Sequence, residues 1–230
     1  MLKKIVLILS FSILLSQAKA ETFGILNVED GLTVHKEQTF NPNQEDQSSF
    51  IVKFDIILPK LTGSKIAEKY TNYLNEKVKH IYHEATLLQH AMPDYSMKYN
   101  VYSSTTLPFL SISLHSQIQN KDDMYGYYWV ENTIFNYQNG SIVNLTDIFT
   151  NDGIDYLIAD INRQIKENSE SKFFQNAIVT NLNNAECYFD GDQVVFTFQI
   201  YDISPYSSGQ PSFSYSLASL QQQKFLKYSS

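Results

Sequence analysis

Hydrophobic and polar residues alternate along "FIVKFDIIL". Phe50, Val52, Phe54, Ile56 and Leu58 fall on one face, with Lys53 and Asp55 on the other. A period of two marks a half-buried strand, and Pro59, which cannot donate to a ladder, is expected to end it. The period then lengthens. Ile66, Tyr70, Tyr73, Leu74, Val78, Ile81, Ala85 and Leu88 recur at helical spacing, which predicts an amphipathic helix from Ser64 to Met92 with Ser64 as its N-cap. Alternation returns in "FLSISLHSQI", where Leu110, Ile112, Leu114 and Ile118 share a face, and a third strand follows in "YYWVENTIFNY". That strand meets Asn139-Gly140, a strong hairpin signal, and returns as "SIVNL". A second helix is expected from Asp152 to Glu167, with Ile154, Leu157, Ile158, Ile161 and Ile165 as its apolar stripe.

A second hairpin, "AECYFDGDQVVFTFQIY", is expected to turn at Asp190-Gly191. Counted outward from that turn, Phe189 faces Asp192, Cys187 faces Val194 and Ala185 faces Phe196. Directly paired residues share a face. Ala185, Cys187, Phe189, Val194, Phe196, Phe198 and Ile200 therefore form one apolar surface, and Cys187 belongs to the core as a small apolar residue rather than a nucleophile. The elements predict an α+β fold: antiparallel strands with hairpins at Asn139-Gly140 and Asp190-Gly191, packed with two amphipathic helices. Aromatic residues make up 14% of the chain, which favours strands and gives a core enough bulk to do without disulfides.

The N-terminus reads differently. "MLKKIVLILSFSILLSQAKA" places two lysines before an apolar run from Ile5 to Leu15 and ends on Ala18-Lys19-Ala20. This is the layout of a secretory signal peptide over residues 1–20. The run is too short for a spanning helix, which needs about 20 apolar residues. No stable membrane span is expected after cleavage, and the protein is expected to be exported, periplasmic or secreted. Loss of Lys3, Lys4 and Lys19 takes the formal charge from −7 to −10. An acidic exported chain makes nucleic acid a poor partner and a basic protein a good one. Its one cysteine, Cys187, allows no internal disulfide.

Candidate chemistry is sparse. "HIYHE" offers His80 and His83, with His90 further along the same helix, but this is not the H-E-x-x-H pattern of a helical zinc site, and a solvated helix face is the better reading. No Gly-x-Ser-x-Gly elbow occurs. Asp122, Asp123, Asp190 and Asp192 lie in turn-like polar sequence, where turn chemistry accounts for them. No catalytic residue, metal or cofactor is expected. That leaves "YDISPYSSG", Tyr201 to Gly209, whose Tyr, Ser and Gly composition is that of a protein-binding loop. Pro205 and Gly209 also suit a plain strand end.

Three segments, "ILPKLTGSKIAEKYTNYLNEKV", "IFNYQNGSIVNLTDIF" and "VVFTFQIYDISPYSSGQPSFSYSLASL", occur in an order that resembles the RsiV/PdaC-like extracytoplasmic domains. In that family a strand leads to Tyr, an Ala/Ser-Pro-Tyr turn, Gly and an aromatic-containing strand. Tyr201, Pro205, Tyr206, Gly209 and Phe213 occupy those positions. The second marker is the Asn-Gly hairpin followed by Leu145, Asp147 and Phe149. The resemblance implies a PdaC-like half at 21–137 and an RsiV-like half at 138–230, folded as one compact unit.

It also implies a non-enzymatic module that binds a lysozyme-like protein or peptidoglycan, with Tyr201, Tyr206, Gly209 and Phe213 in the binding region. The departures narrow this. Only Met1 to Lys4 precede the apolar run, so no sigma factor is expected to be held, and no metal-binding deacetylase block is present. "DMYGYYWVE" stands where many relatives carry a Gly-Ala-His stretch. An enzyme of cell-wall metabolism with an unrecognised site, or an envelope structural protein, are the alternative readings. N-terminal sequencing of the exported protein is expected to begin at Glu21; an intact Met1 in a membrane pellet would contradict the signal peptide.

Overall fold

A computed structural model of the chain describes residues 20–40, 50–87, 93–120, 126–168 and 172–228. The signal-peptide segment, His90, and Asp122 and Asp123 lie outside these residues. Among the described residues, ten strands form two sheets, mostly antiparallel. The larger sheet runs in chain order: β1 (Glu21–Phe23), β2 (Leu26–Phe40), β3 (Phe50–Thr62), β4 (Asp94–Ser103), β5 (Phe109–Gln119), β6 (Tyr127–Asn136) and β7 (Ser141–Ile142). Helix α1 (Lys65–Leu87) links β3 to β4, which pair in parallel. After β7 come α2 (Leu145–Ile148) and α3 (Asn151–Glu167). A three-stranded sheet follows, ordered β10 (Ser212–Ser216), β9 (Gln193–Phe198), β8 (Ala185–Asp190), and then α4 (Leu217–Gln222).

The expected α+β fold is present, and several of its elements differ in detail. Ser64 does cap α1: its Oγ accepts the Ala67 N–H at 3.0 Å and donates to the Gly140 carbonyl at 3.0 Å, which ties the helix start to the β6–β7 hairpin. The buried stripe of α1 is Ala67, Leu74 and Val78, while Ile66 and Tyr73 face outward. Strand β3 does not end at Pro59. Its pairing with β2 shifts register between Asp30 and Thr33, and Pro59 sits beside that irregularity, where a missing donor is tolerated. Past the shift the buried positions of β3 move from Val52, Phe54, Ile56 and Leu58 to Leu61, so the alternation breaks while the strand continues. Strands β1, β2 and β4 add to the elements expected from sequence.

The β6–β7 connection is longer than a two-residue turn. Asn136 pairs with Ser141, which leaves Tyr137 to Gly140 as the loop. The β8–β9 hairpin also departs from its expected register. Asp190 pairs with Gln193, Phe189 with Val194, Cys187 with Phe196 and Ala185 with Phe198, so the turn is Gly191-Asp192 rather than Asp190-Gly191. Gly191 has φ +61, the positive first position of a type II′ turn. The shift is two residues, which preserves every side chain's face. Cys187, Phe189, Val194, Phe196, Phe198 and Ile200 are accordingly all buried.

The two faces of the large sheet are covered by different elements. Leu74 and Val78 of α1 pack on Val52, Phe54, Ile56, Leu58, Met97 and Leu114. The opposite face of β5 carries Phe109, Ser111 and Ser113, and these are buried too. There β8 crosses β5 and β6, with the Phe189 ring tilted against Phe109 at 4.9 Å and its N–H donated to Ser111 Oγ at 3.0 Å. Leu157, Ile161 and Ile165 of α3 close the core against the small sheet.

Burial pushes the Cys187 thiol well above its usual range, with the nearby Glu186 carboxylate adding to the effect. Native protein is therefore expected to react with a thiol reagent far more slowly than denatured protein at pH 8. Cys187→Asp should destabilise by about 2–5 kcal/mol, since it buries an unpaired charge, as read from a denaturant midpoint. Glu186 is half-buried and its carboxyl is raised above the ordinary value, chiefly by burial, with Glu131 adding and the Asn132 N–H opposing. A raised carboxyl means that the folded state favours the protonated acid. This contribution is present below the unfolded value and is lost as pH rises through the folded one. Glu186→Gln, whose amide oxygen can still accept the Asn132 N–H, is expected to match or exceed the wild-type thermal midpoint at pH 7 and to lose any advantage at pH 3.

Candidate functional site

The segment after β9 leaves the core under tight control. The Gln199 side chain acts as a substitute peptide for the outer edge of β6: its Oε1 accepts the Val130 N–H at 3.2 Å and its Nε2 donates to the Val130 carbonyl at 2.5 Å. Gln210 Nε2 donates to the same Oε1 at 2.8 Å, which joins the two ends of the loop. Between them the Gln199 N–H donates to Asp202 Oδ2 at 3.0 Å, and the Tyr201 N–H to the Ser204 carbonyl at 3.0 Å. Ile203 and Ser204 are buried, and Ser204 Oγ donates to the Gly209 carbonyl at 3.1 Å. Pro205 precedes a 3-10 turn over Tyr206–Ser208, which closes on Gly209 at φ +70 and ψ −157, a conformation open to glycine.

With the backbone so engaged, the side chains divide. Tyr201 is 58% exposed and has φ +71. A bulky residue in the left-handed region is an outlier that costs about 1–2 kcal/mol and persists where the surroundings impose it. Its ring lies 6.3 Å from that of Tyr206, which in turn meets Tyr128 of β6 edge-on at 6.1 Å. Three tyrosines thus form one surface cluster. Burial, with Tyr206 as a second cause, raises the Tyr128 phenol above its usual value, against the lowering effect of a hydrogen bond with the Gln210 backbone. The Tyr128 phenol therefore stays a neutral donor at physiological pH.

Of the expected binding residues, Tyr201, Tyr206 and Gly209 lie together in this loop, and Phe213 does not. Phe213 is 3% exposed, stacked on Phe173 at 6.1 Å and edge-on to Phe198 at 6.0 Å. It faces the core because the alternation of β10 turns Phe213 and Tyr215 inward while Ser212 and Ser214 face out. A surface role for its ring is therefore corrected to a packing role. Tyr128 and Gln199 were not among the expected residues. Tyr128 could have been found from parity, since it lies on the face of β6 opposite Trp129. Gln199 carries no sequence signal, because its role arises only when β8 and β9 dock on β6.

On the other side of the loop a groove of about 580 Å³ runs between the C-terminal end of α3 and the start of β10. Gln164, Asn168, Lys172, Ser208 and Ser212 line it above Phe173, a mixture of amide, ammonium and hydroxyl groups. A larger groove, about 780 Å³, lies between α1, β6 and β8. Its carboxylate, Glu186, already accepts the Asn132 N–H at 2.6 Å.

No group of three His, Cys, Asp or Glu residues among those described is arranged to hold a metal. His80 and His83 are exposed on α1. Asp190 ends β8 and Asp192 lies within the β8–β9 turn, where its carbonyl receives the Leu217 N–H. Among the described residues no helix is long and apolar enough to cross a membrane.

Leu145, Asp147 and Phe149, which follow the Asn-Gly hairpin, serve local structure. Asp147 Oδ2 accepts the Asn144 N–H at the start of α2, and Phe149 is fully buried. No curated protein matches the chain. Two solved structures share its fold. One is a member of the DUF3298 family from Bacteroides fragilis NCTC 9343, with TM-score 0.58 and 15% identity over 90% of this chain and 96% of that one. The other is a DUF3298 family protein from Pseudomonas aeruginosa PAO1, with TM-score 0.54 and 14% identity over 87% of this chain and 94% of that one. Residues 146–216, from α2 through β10, match the model of the family described as protein of unknown function (DUF3298).

Proposed function

We propose that this chain is an exported, non-enzymatic binding module of the bacterial cell envelope that recognises a basic cell-wall-active protein of lysozyme type through the Tyr201–Tyr206–Tyr128 surface. The observation that carries this reading is Tyr201: an exposed aromatic ring held at φ +71 by a loop anchored through Gln199, Ile203, Ser204 and Gly209. Packing gives no reason for a tyrosine there, and glycine would suit the backbone better. Tyrosine offers a large, rigid, amphipathic contact at low entropic cost. The resemblance to RsiV/PdaC-like domains and the acidic chain, with a formal charge of −7 before any processing, support a basic partner. Peptidoglycan itself is the second reading. It is favoured by the adjoining groove, whose amides, hydroxyls and Lys172 suit a polyhydroxyl ligand.

Calorimetric titration with lysozyme at low and physiological salt tests the leading reading. Binding is expected at both, weaker at the higher salt. Tyr201→Ala should cost about 1–3 kcal/mol of binding. Absence of heat at both salts, with no complex on size exclusion, removes the lysozyme reading and leaves a peptidoglycan pull-down as the test of the second. Tyr201→Gly separates display from scaffold. It should relieve the strained backbone, leave the thermal midpoint equal to or above wild type, and lose binding as Tyr201→Ala does. A lowered midpoint with unchanged binding would make the ring a structural element. Tyr206, packed between two other rings, should lose stability and binding together on change to alanine.

A further inference from the structure

We infer that the outer edge of β10 is a strand-addition site for an extended segment of a partner polypeptide. The pairing geometry shows which groups are available. Phe198 donates its N–H to the Pro211 carbonyl and Leu217 donates to the Asp192 carbonyl, in line with the ladder that pairs Phe213 with Phe196 and Tyr215 with Val194. Odd-numbered residues of this stretch therefore bond β9. Ser212 and Ser214 point both N–H and C=O away from it, and Ser216 its N–H. No hydrogen bond occupies these outward groups among the described residues, and Ser212 and Ser214 are exposed.

The edges of β6, β8 and β2 are managed. The outer edge of β6 is closed by Gln199 at Val130, Glu186 at Asn132 and the Val143 N–H at the Ile134 carbonyl. That of β8 is engaged by Ser111 at Phe189 and by the Ser103 carbonyl at Gly191. Beyond its three pairs with β1, the edge of β2 carries Glu29, Asp30, His35, Lys36 and Glu37 together with a register shift. Charge and irregularity are the usual protections of an open edge. β10 has neither, since "SFSYS" is uncharged and paired without a bulge.

The occupant is an extended segment of a different protein rather than a second copy of this chain. Two acidic copies repel. A five-residue edge also falls short of the roughly 1,200–2,000 Å² that a stable interface buries. Beside the edge, the groove under Gln164, Asn168 and Lys172 gives one side chain of the incoming strand a polar seat. This inference does not rest on the tyrosine surface.

The probe is a random octapeptide library displayed on phage and selected on the folded protein, with the best peptide then synthesised. It should bind the wild type, and hydrogen exchange at the Ser212 and Ser214 amides should slow on binding. Single N-methylation along the peptide should weaken binding by about tenfold at every second residue and spare those between. Ser214→Pro should abolish binding. Ser214→Lys, which keeps the N–H and the fold but places a charge on the edge, should weaken it about tenfold. Tyr201→Ala should leave it unchanged. The inference is overturned if no peptide binds, if the N-methyl scan lacks a two-residue period, if both Ser214 variants bind as wild type, or if Tyr201→Ala removes binding. The last outcome would assign the peptides to the tyrosine loop.

Discussion

Strand β8 lies across β5 and β6, and its polar backbone is buried there together with theirs. A buried N–H without a partner costs about 1–3 kcal/mol, so docking is stable only where each such group meets an acceptor. The face of β5 that receives β8 accordingly carries Ser111 and Ser113 rather than a second row of aliphatics, and Ser111 Oγ takes the Phe189 N–H. Ser103 and Thr105 exchange bonds with Gly191 at one end of the contact, and Glu186 takes the Asn132 N–H at the other. Between these polar points Phe109 meets Phe189, and a core continues from there through Phe196 and Phe149 to α3. The contact is thus polar where backbones meet and apolar where side chains meet.

Everything on the display side follows from that docking. Once β8 is placed, β9 runs toward Val130, and the Gln199 amide completes the β6 edge in the manner of a short extra strand. The loop begins where this bond holds it. Tyr128 belongs to the large sheet and Tyr206 to the loop between β9 and β10 of the small one, so their contact at 6.1 Å exists only because the sheets are joined. The same placement turns β10 away from the large sheet. Closing one edge and exposing another are two consequences of one geometry.

Face assignments were largely legible in the sequence, and pairing partners were not. The β8–β9 hairpin shows why. Its alternation puts Cys187, Phe189, Val194 and Phe196 on one face whether the turn is Asp190-Gly191 or Gly191-Asp192, because the two registers differ by an even number. Choosing between them depends on whether Asp190 also takes a positive φ, as a type I′ turn at Asp190-Gly191 requires; here Gly191 takes it and Asp190 does not, which composition does not reveal. Strand β3 failed differently: its pattern stops at Pro59 because the buried side changes there, a consequence of a register shift in its partner β2. Strand β4 does carry a readable alternation in Tyr95, Met97, Tyr99 and Val101. Ile66 and Tyr73 show the limit of helical periodicity. A stripe chosen by spacing is wider than the face that Leu74 and Val78 bury.

The loop motif itself mixes two kinds of residue that sequence treats alike. Ile203, Ser204, Pro205 and Gly209 build the turn by burial, by hydrogen bonds or by a positive φ, and Phe213 fills the core beneath it. These are the features that a shared fold needs, and the matched segment 146–216 also spans α2, α3 and the small sheet that form that core. A fold can persist at 15% identity because packing tolerates exchange among residues of similar volume. Recognition has no such tolerance, since it depends on particular groups at particular places. The positions that speak to function are therefore those the scaffold does not explain. In this loop the position the scaffold leaves unexplained is Tyr201, which the backbone holds at a cost and the core does not use.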